Sequence, residues 1–255
     1  MLVHPLRRLG VTLHTPEIQG YSNASLASPA RWQDWADAAA QAVAAAVGPS
    51  QPYVLGGLCT GAILALAVAA RDQCPSMRGL ALLSPIVAYD GWGLPWWYRA
   101  RWIAYVLGIE NRFSMAERPP YGLKNERLRM FVRQQLQDGL ATVAGTARIS
   151  LQVVRESERI SRQAPAWIAR LQEPTLVLHA REDEICRLAS VQAVAARAPQ
   201  GMLQMAVLEN SYHMISADYD RHEVAERLAA HTAGCLAEGP LSVQATDTQP
   251  VPAAA

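Results

Sequence analysis

A short segment in the first quarter of the chain places a cysteine between two glycines, Gly57-Leu58-Cys59-Thr60-Gly61. A short apolar run precedes it, and a helical pattern rich in alanine and leucine follows directly. Glycines two residues before and two after the cysteine permit a sharp strand-to-helix turn with Cys59 at its apex. The positive end of the helix would stabilise a thiolate, and its free N–H groups could bind an oxyanion. The segment therefore predicts a turn that carries a nucleophile, although it also fits a small buried thiol beside a turn.

Composition limits the possible functions. The chain has 255 residues, is 51% hydrophobic and carries a formal net charge of +1, which suits one large domain and gives no electrostatic case for a nucleic-acid partner. Its four cysteines show neither a C-x-x-C pair nor zinc-site spacing, and no glycine-rich phosphate loop is present. We therefore expect no metal and no cofactor, and a reduced, cytoplasmic protein. No signal-peptide pattern and no apolar run of about 18 residues is found, so we expect no integral membrane span.

Short apolar runs alternate with helical patterns, which predicts an α/β fold with a mostly parallel sheet flanked by helices. The expected strands lie at Leu9–His14, Tyr53–Leu55, Leu80–Leu83, Pro174–His179 and Leu203–Leu208. The expected helices are one that starts at Ser28 and Pro29 and ends before Gly48, one from the turn to Asp72, one at Ser190–Arg197 and one at His222–Leu236.

The alternation is interrupted between residues 86 and 166, which we interpret as a helical lid inserted between two parts of the core, 1–85 and 167–238. Within the lid, Asn125 is expected to cap one helix, and Thr142–Arg162 is expected to form another. Residues 239–255 have little to bury and predict a disordered tail. Four of the seven tryptophans fall within eleven residues: Trp92, Trp96, Trp97 and Trp102. They could line a pocket for an apolar acyl group, or simply pack the lid onto the core.

Cys59, Asp183 and His213 each follow an apolar run that predicts a strand. Parallel strands bring their carboxyl ends to one edge of a sheet, so these side chains could meet there. Nucleophilic acyl transfer needs such a set: a nucleophile, a base that moves its proton, and an acid that orients the base. Glu182 or Glu184 could take the place of Asp183. The other histidines lie in segments without this context, and His179 lies on a strand.

These motifs resemble those of the α/β-hydrolases, and most closely their carboxylesterase and monoacylglycerol-lipase branch, over roughly Leu9 to Glu238. The resemblance is carried by Gly-Leu-Cys-Thr-Gly, Leu-Ala-Leu-Leu-Ser-Pro, Pro-Thr-Leu-Val-Leu-His-Ala-Arg-Glu-Asp and Asn-Ser-Tyr-His-Met. It implies Cys59 as nucleophile in place of the usual serine, His213 as base, Asp183 as the orienting acid and the Thr60 N–H as an oxyanion donor. The family takes its second donor from a His-Gly loop that no segment before Cys59 matches, so we expect an N-terminally shortened version of the fold.

Three functions are compatible with these residues. The first is an acyl hydrolase that acts on an ester or thioester through acyl-Cys59, with a small-molecule acyl compound as its substrate. The second is an acyltransferase that uses the same intermediate. The third is a non-catalytic binding protein, because the usual serine and the His-Gly loop are both missing from the pattern.

Overall fold

The computed structural model describes residues 3–21, 30–48, 50–71, 74–116, 118–137 and 148–237. Four parallel strands form its main sheet, in the order β1-β2-β5-β6. They are β1 (Tyr53–Leu58), β2 (Met77–Leu83), β5 (Thr175–Ala180) and β6 (Leu203–Leu208), while β3 (Ser114–Ala116) and β4 (Arg148–Ser150) form a separate antiparallel pair. The predicted α/β fold with a parallel sheet is confirmed.

Helices cover the sheet and build the segment between β2 and β5. They are α1 (Val3–Arg8), α2 (Trp32–Ala46), α3 (Thr60–Arg71), α4 (Arg101–Leu107), α5 (Glu126–Gln137), α6 (Leu151–Ser161), α7 (Ala164–Ile168), α8 (Leu188–Ala195) and α9 (Arg221–Ala237), with 3₁₀ turns at Trp96–Ala100 and Glu110–Arg112. The helices predicted after the turn and at the C-terminal end agree with α3 and α9. The predicted start of α2 at Ser28 and Pro29 lies outside the described residues. No helix within the described ranges is long and apolar enough to cross a membrane.

The helix α3 is the centre of the main hydrophobic core. Nine of its twelve residues are buried, because its small and aliphatic side chains are apolar on every face. The helices α2, α6 and α7 pack against it, and their side chains join the same cluster as Ile63 and Leu66. Ile160 and Ala164 belong to this cluster, so the last part of the predicted lid segment packs as part of the core.

The strand predicted at Leu9–His14 is wrong, because residues 11–18 have no regular secondary structure. The side chains of Leu9 and Leu13 are 46% and 39% exposed, and the segment hydrogen-bonds back to α1 through the Val11 N–H and the Leu6 carbonyl, 3.0 Å apart. A strand needs a neighbouring ladder for its N–H and C=O groups, and alternation along the chain does not reveal whether one exists.

Two predictions for the lid meet different outcomes. Asn125 caps α5 as expected, since its Oδ1 accepts the N–H groups of Arg127 at 3.1 Å and Leu128 at 3.2 Å. The helix expected over Thr142–Arg162 begins only at Leu151, after the strand β4, and Ser150 caps it by accepting the Gln152 N–H at 3.2 Å. Residues 142–147 and the tail at 239–255 lie outside the described residues.

We predict that Gly57→Ala destabilises the protein much more than Gly61→Ala does. A Cβ on Gly57 would lie 2.2 Å from the Gly61 carbonyl oxygen, whereas a Cβ on Gly61 would meet nothing within 4 Å. Gly57→Ala should lower the free energy of unfolding by about 3 kcal/mol or more, because the backbone of the turn must shift. Gly61→Ala should change it by no more than about 1 kcal/mol, since alanine suits a helix. Urea unfolding followed by circular dichroism tests this, and equal losses in both variants would contradict it.

Candidate active site

Cys59 lies in the turn between β1 and α3, with a backbone φ of +64° in the left-handed region. A residue with a Cβ pays about 1–2 kcal/mol for this conformation. Backbone hydrogen bonds hold it there: the Cys59 N–H donates to the Leu83 carbonyl at 3.0 Å, and the Ala62 N–H donates to the Cys59 carbonyl at 3.2 Å. The turn thus places the thiol at the carboxyl end of β1 and at the N-terminus of α3.

Asp183 and His213 follow the neighbouring strands β5 and β6, and both side chains are buried. The Nδ1 atom of His213 donates to Oδ2 of Asp183 at 2.7 Å. The other carboxylate oxygen, Oδ1, accepts the N–H groups of Ile185 at 2.9 Å and Cys186 at 3.0 Å. This arrangement fixes the imidazole ring and leaves its Nε2 atom for chemistry.

The Nε2 atom of His213 is buried, and no described residue lies at the distance and angle of a hydrogen bond to it. Cys59 is nevertheless close enough to influence the imidazole, and such contacts commonly tighten only when substrate binds. Burial lowers the pKa of His213, but the Asp183 carboxylate and the Cys59 thiol together raise it well above its usual 6.5. Burial raises the pKa of Asp183, yet His213 and His179 reverse this and leave it lowered. The structure therefore brings the three predicted residues to one place.

The neighbouring acidic residues have other contacts. The Oε2 atom of Glu184 accepts the backbone N–H of His213 at 3.0 Å, and burial raises the pKa of this carboxyl. Glu182 pairs with Lys124 at 3.1 Å on the surface. Asp183 is therefore the acid that contacts the imidazole of His213.

His179 is a second imidazole beside the same carboxylate. Its Nε2 lies 2.9 Å from the Cys186 carbonyl oxygen and 3.6 Å from Oδ2 of Asp183. Burial lowers the pKa of His179. The side chain is completely buried on β5 and helps to orient the loop that carries Asp183.

Asp218 anchors the loop of His213, and sequence reasoning missed it. Its Oδ2 accepts the N–H groups of Lys124 at 2.6 Å and Tyr212 at 3.0 Å, and its Oδ1 accepts those of Asn125 at 2.9 Å and Tyr219 at 3.0 Å. The carboxylate is fully buried. It therefore ties the loop of His213 to the start of α5.

The four tryptophans do not form one enclosed pocket. Trp92 packs edge-on against Tyr212, with ring centroids 5.3 Å apart, and its Nε1 donates to the Glu182 carbonyl at 3.1 Å. Trp97 lies under the guanidinium of Arg118 at 5.9 Å. Trp96 and Trp102 are 85% and 60% exposed. Of the four, Trp92 is the one that adjoins the loop of His213.

Thr60 is the first residue of α3 and is buried next to Cys59. Its hydroxyl donates to Oγ of Ser157 at 3.5 Å. The N–H groups of the first helical turn have no partner within the helix, so the Thr60 N–H has no acceptor within α3. Among the described residues, no group of three or more His, Cys, Asp and Glu side chains is placed to hold a metal ion.

A family profile described as serine aminopeptidase, S33, matches residues 16–220. The chain belongs to the Hydrolase_4 family. This membership and the fold confirm the predicted resemblance to the α/β-hydrolases. The profile describes a serine enzyme, whereas this Hydrolase_4 member carries Cys59 at the turn.

Solved structures of lipolytic enzymes share the fold. One, from work on the metagenome-derived LipS and LipT, has 18% identity and a TM-score of 0.63 over 91% of this chain and 86% of its own. A monoacylglycerol lipase from Paleococcus ferrophilus has 18% identity and a TM-score of 0.60 over 80% and 77%. A thermophilic esterase from Thermogutta terrifontis has 19% identity and a TM-score of 0.54 over 81% and 73%. No curated protein sequence matches the chain significantly.

We predict that Asp218→Asn destabilises this Hydrolase_4 protein strongly. Whichever oxygen the amide nitrogen replaces, two partly buried N–H groups lose their acceptor and face another donor. The free energy of unfolding should fall by about 3 kcal/mol. Glu223→Gln is the control, because its ion pair with Arg227 is half-exposed and is worth about 0.5 kcal/mol. Urea unfolding of both variants decides, and a loss no larger for Asp218→Asn than for the control would contradict the anchoring role.

We also predict a pH-dependent contribution of His213 to stability. Because its pKa is raised in the folded protein, its contribution is fully present below pH 6.5 and is lost as the pH rises through the raised value. The free energy of unfolding of wild type minus that of His213→Asn should therefore shrink with increasing pH. His222→Asn, on the exposed surface of α9, is the control. A difference that grows with pH in urea titrations would show that the sign is wrong.

Proposed function

We propose that this Hydrolase_4 member is an acyl hydrolase that cleaves an ester or thioester through an acyl-Cys59 intermediate. The observation that carries the proposal is the 2.7 Å hydrogen bond between Asp183 and His213, which turns a buried Nε2 toward the side where Cys59 lies. The structural neighbours, a monoacylglycerol lipase and an esterase among them, support an ester as the substrate class.

The raised pKa of His213 favours the state in which its Nε2 has already taken the thiol proton of Cys59. In the first half-reaction, the thiolate sulfur then forms a bond to the carbonyl carbon. The π-electron pair moves to the carbonyl oxygen, and the Thr60 N–H stabilises that oxyanion. When the oxyanion collapses, the bond to the leaving alcohol or thiol breaks. The leaving group then takes the proton from Nε2, and acyl-Cys59 remains.

In the second half-reaction, a water molecule replaces the leaving group. His213 takes one proton from the water, whose oxygen forms a bond to the acyl carbon. The carbon–sulfur bond then breaks, and the sulfur of Cys59 regains the proton from Nε2. The net reaction consumes one water and one ester or thioester, and it releases one acid together with the alcohol of the ester or the thiol of the thioester. Asp183 keeps the imidazole in the tautomer that has Nε2 available and stabilises its protonated form.

Acyl transfer would use the same first half-reaction with another acceptor in place of water. It would require that water be kept away from the thioester, which an aromatic cover over the site could do. Trp96 and Trp102 are mostly exposed instead of forming such a cover. Hydrolysis is therefore the reaction that the geometry supports better. Burying the charged pair of Asp183 and His213 costs free energy. A non-catalytic binding protein would have no need of this pair, so the pair favours a catalytic role.

The test is the intact mass of the protein after brief exposure to an activated acyl ester. Wild type should gain one acyl group and Cys59→Ala none, and His213→Ala should acylate about 10²–10⁴-fold more slowly, because it lacks the base. Cys74→Ala is the matched control. Cys74 is also partly exposed, and the backbone N–H of Ser76 lowers the pKa of its thiol. Acylation at Cys74 therefore has to be excluded, and Cys74→Ala should gain one acyl group as wild type does.

Decay of the adduct, with and without an added alcohol, distinguishes hydrolysis from transfer. The free acid as main product in both cases supports the proposal, and an ester of the added alcohol as main product favours the acyltransferase. An aminoacyl anilide, included because of the family's description, should be cleaved more slowly than the ester. Folded protein that gains no acyl group from any of these compounds would contradict the proposed function.

A further inference from the structure

Four hydroxyl groups gather next to Cys59 on the side of α3. Two of them, on Thr60 and on Ser157 of α6, are buried and 3.5 Å apart. The hydroxyl of Tyr89 is close enough to both for them to lower its pKa. The hydroxyl of Tyr21 is within reach of Thr60, and both phenols are close enough to Cys59 to be affected by its charge. None of these hydroxyls has a part in the steps of acyl transfer described above.

Contacts of its ring and of the backbone that follows it fix the position of Tyr89. It packs against Tyr98 with ring centroids 6.1 Å apart, and the Tyr98 hydroxyl donates to Glu158 at 2.6 Å. The backbone just after it is tied to the loop of Asp183, because the N–H groups of Asp90 and Gly91 donate to the Ile185 carbonyl at 3.2 Å and 2.9 Å. Tyr89 is therefore positioned by the same loop that positions the acid of the proposed site.

Burial and the nearby Cys59 raise the pKa of Tyr89 far above its usual value. The phenol therefore keeps its proton at neutral pH and can serve as a hydrogen-bond donor. The Thr60 hydroxyl, which Tyr89 contacts in the resting protein, keeps Tyr21 and Ser157 as partners if Tyr89 turns away. A donor of this kind beside the nucleophile suits the negative charge that develops on the carbonyl oxygen.

We propose that the hydroxyl of Tyr89 is an oxyanion donor, which acts together with the Thr60 N–H when Cys59 attacks an acyl carbonyl. This inference rests on the proposed function, because it concerns the same tetrahedral intermediate. It assigns a catalytic role to a side chain in the segment that follows β2. In this role, the phenol of Tyr89 donates one hydrogen bond to the oxyanion and transfers no proton, so the overall reaction is unchanged.

The experiment compares two reactions of Cys59 in wild type and in Tyr89→Phe. Acylation by an activated ester passes through an oxyanion. Alkylation by iodoacetamide forms the sulfur–carbon bond while the carbon–iodine bond breaks and iodide leaves, with no oxyanion. Tyr89→Phe should lower the single-turnover rate of acylation about 10²-fold and leave the rate of alkylation within about twofold of wild type. Tyr105→Phe, a half-buried tyrosine of the same segment whose ring faces Arg155 at 5.1 Å, is the matched control and should change neither rate.

The outcomes separate this inference from the proposed function. Equal acylation of wild type and Tyr89→Phe would overturn the role of Tyr89 while acyl-Cys59 chemistry stands. A parallel loss of acylation and alkylation would also overturn it, because it would mean that Tyr89 only positions Cys59. Wild type that is alkylated at Cys59 but never acylated would reject the proposed function itself, and this inference with it.

Discussion

The carboxylate of Asp183 is a charge buried in the core, and the loops around it are arranged to stabilise that charge. Burying an unpaired carboxylate costs several kcal/mol, so the group has to be compensated on every side. Two backbone N–H groups of its own loop bind one oxygen, and the imidazole of His213 binds the other. The parallel pairing of β5 with β6 is what brings these loops together. The orientation of His213, and through it the environment of Cys59, depends on this compensation.

Much of the fold and of the site could be predicted from the sequence, because the decisive signals are local. A glycine two residues before Cys59 is required by the 2.2 Å approach that a Cβ would make to the next turn of backbone. From Gly79 to Leu83 the strand β2 is buried at every residue and apolar without interruption, so it is easily recognised. Asp183 and His213 could be predicted because each comes a few residues after an apolar run, which forms β5 before Asp183 and β6 before His213.

Other features depend on contacts between distant segments, and a sequence pattern cannot show them. Asp218 looks like any loop aspartate, and its role comes from N–H groups more than ninety residues away. Leu9 and Leu13 have the alternation of a strand but no ladder to join. The exposure of Trp96 depends on how the segment folds over the sheet, and so does the position of Tyr89 beside Cys59.

The bonds of Asp218 also have a mechanical consequence. They join the backbone at Lys124 and Asn125 to the loop of His213, and the Met214 N–H adds a further bond to the Gly122 carbonyl at 2.8 Å. These residues therefore form a rigid joint. If the segment with Trp96 and Trp102 swings to admit a substrate, it has to bend on the N-terminal side of this joint, between β2 and Gly122. His213 then keeps its place while the segment with Trp96 and Trp102 changes position.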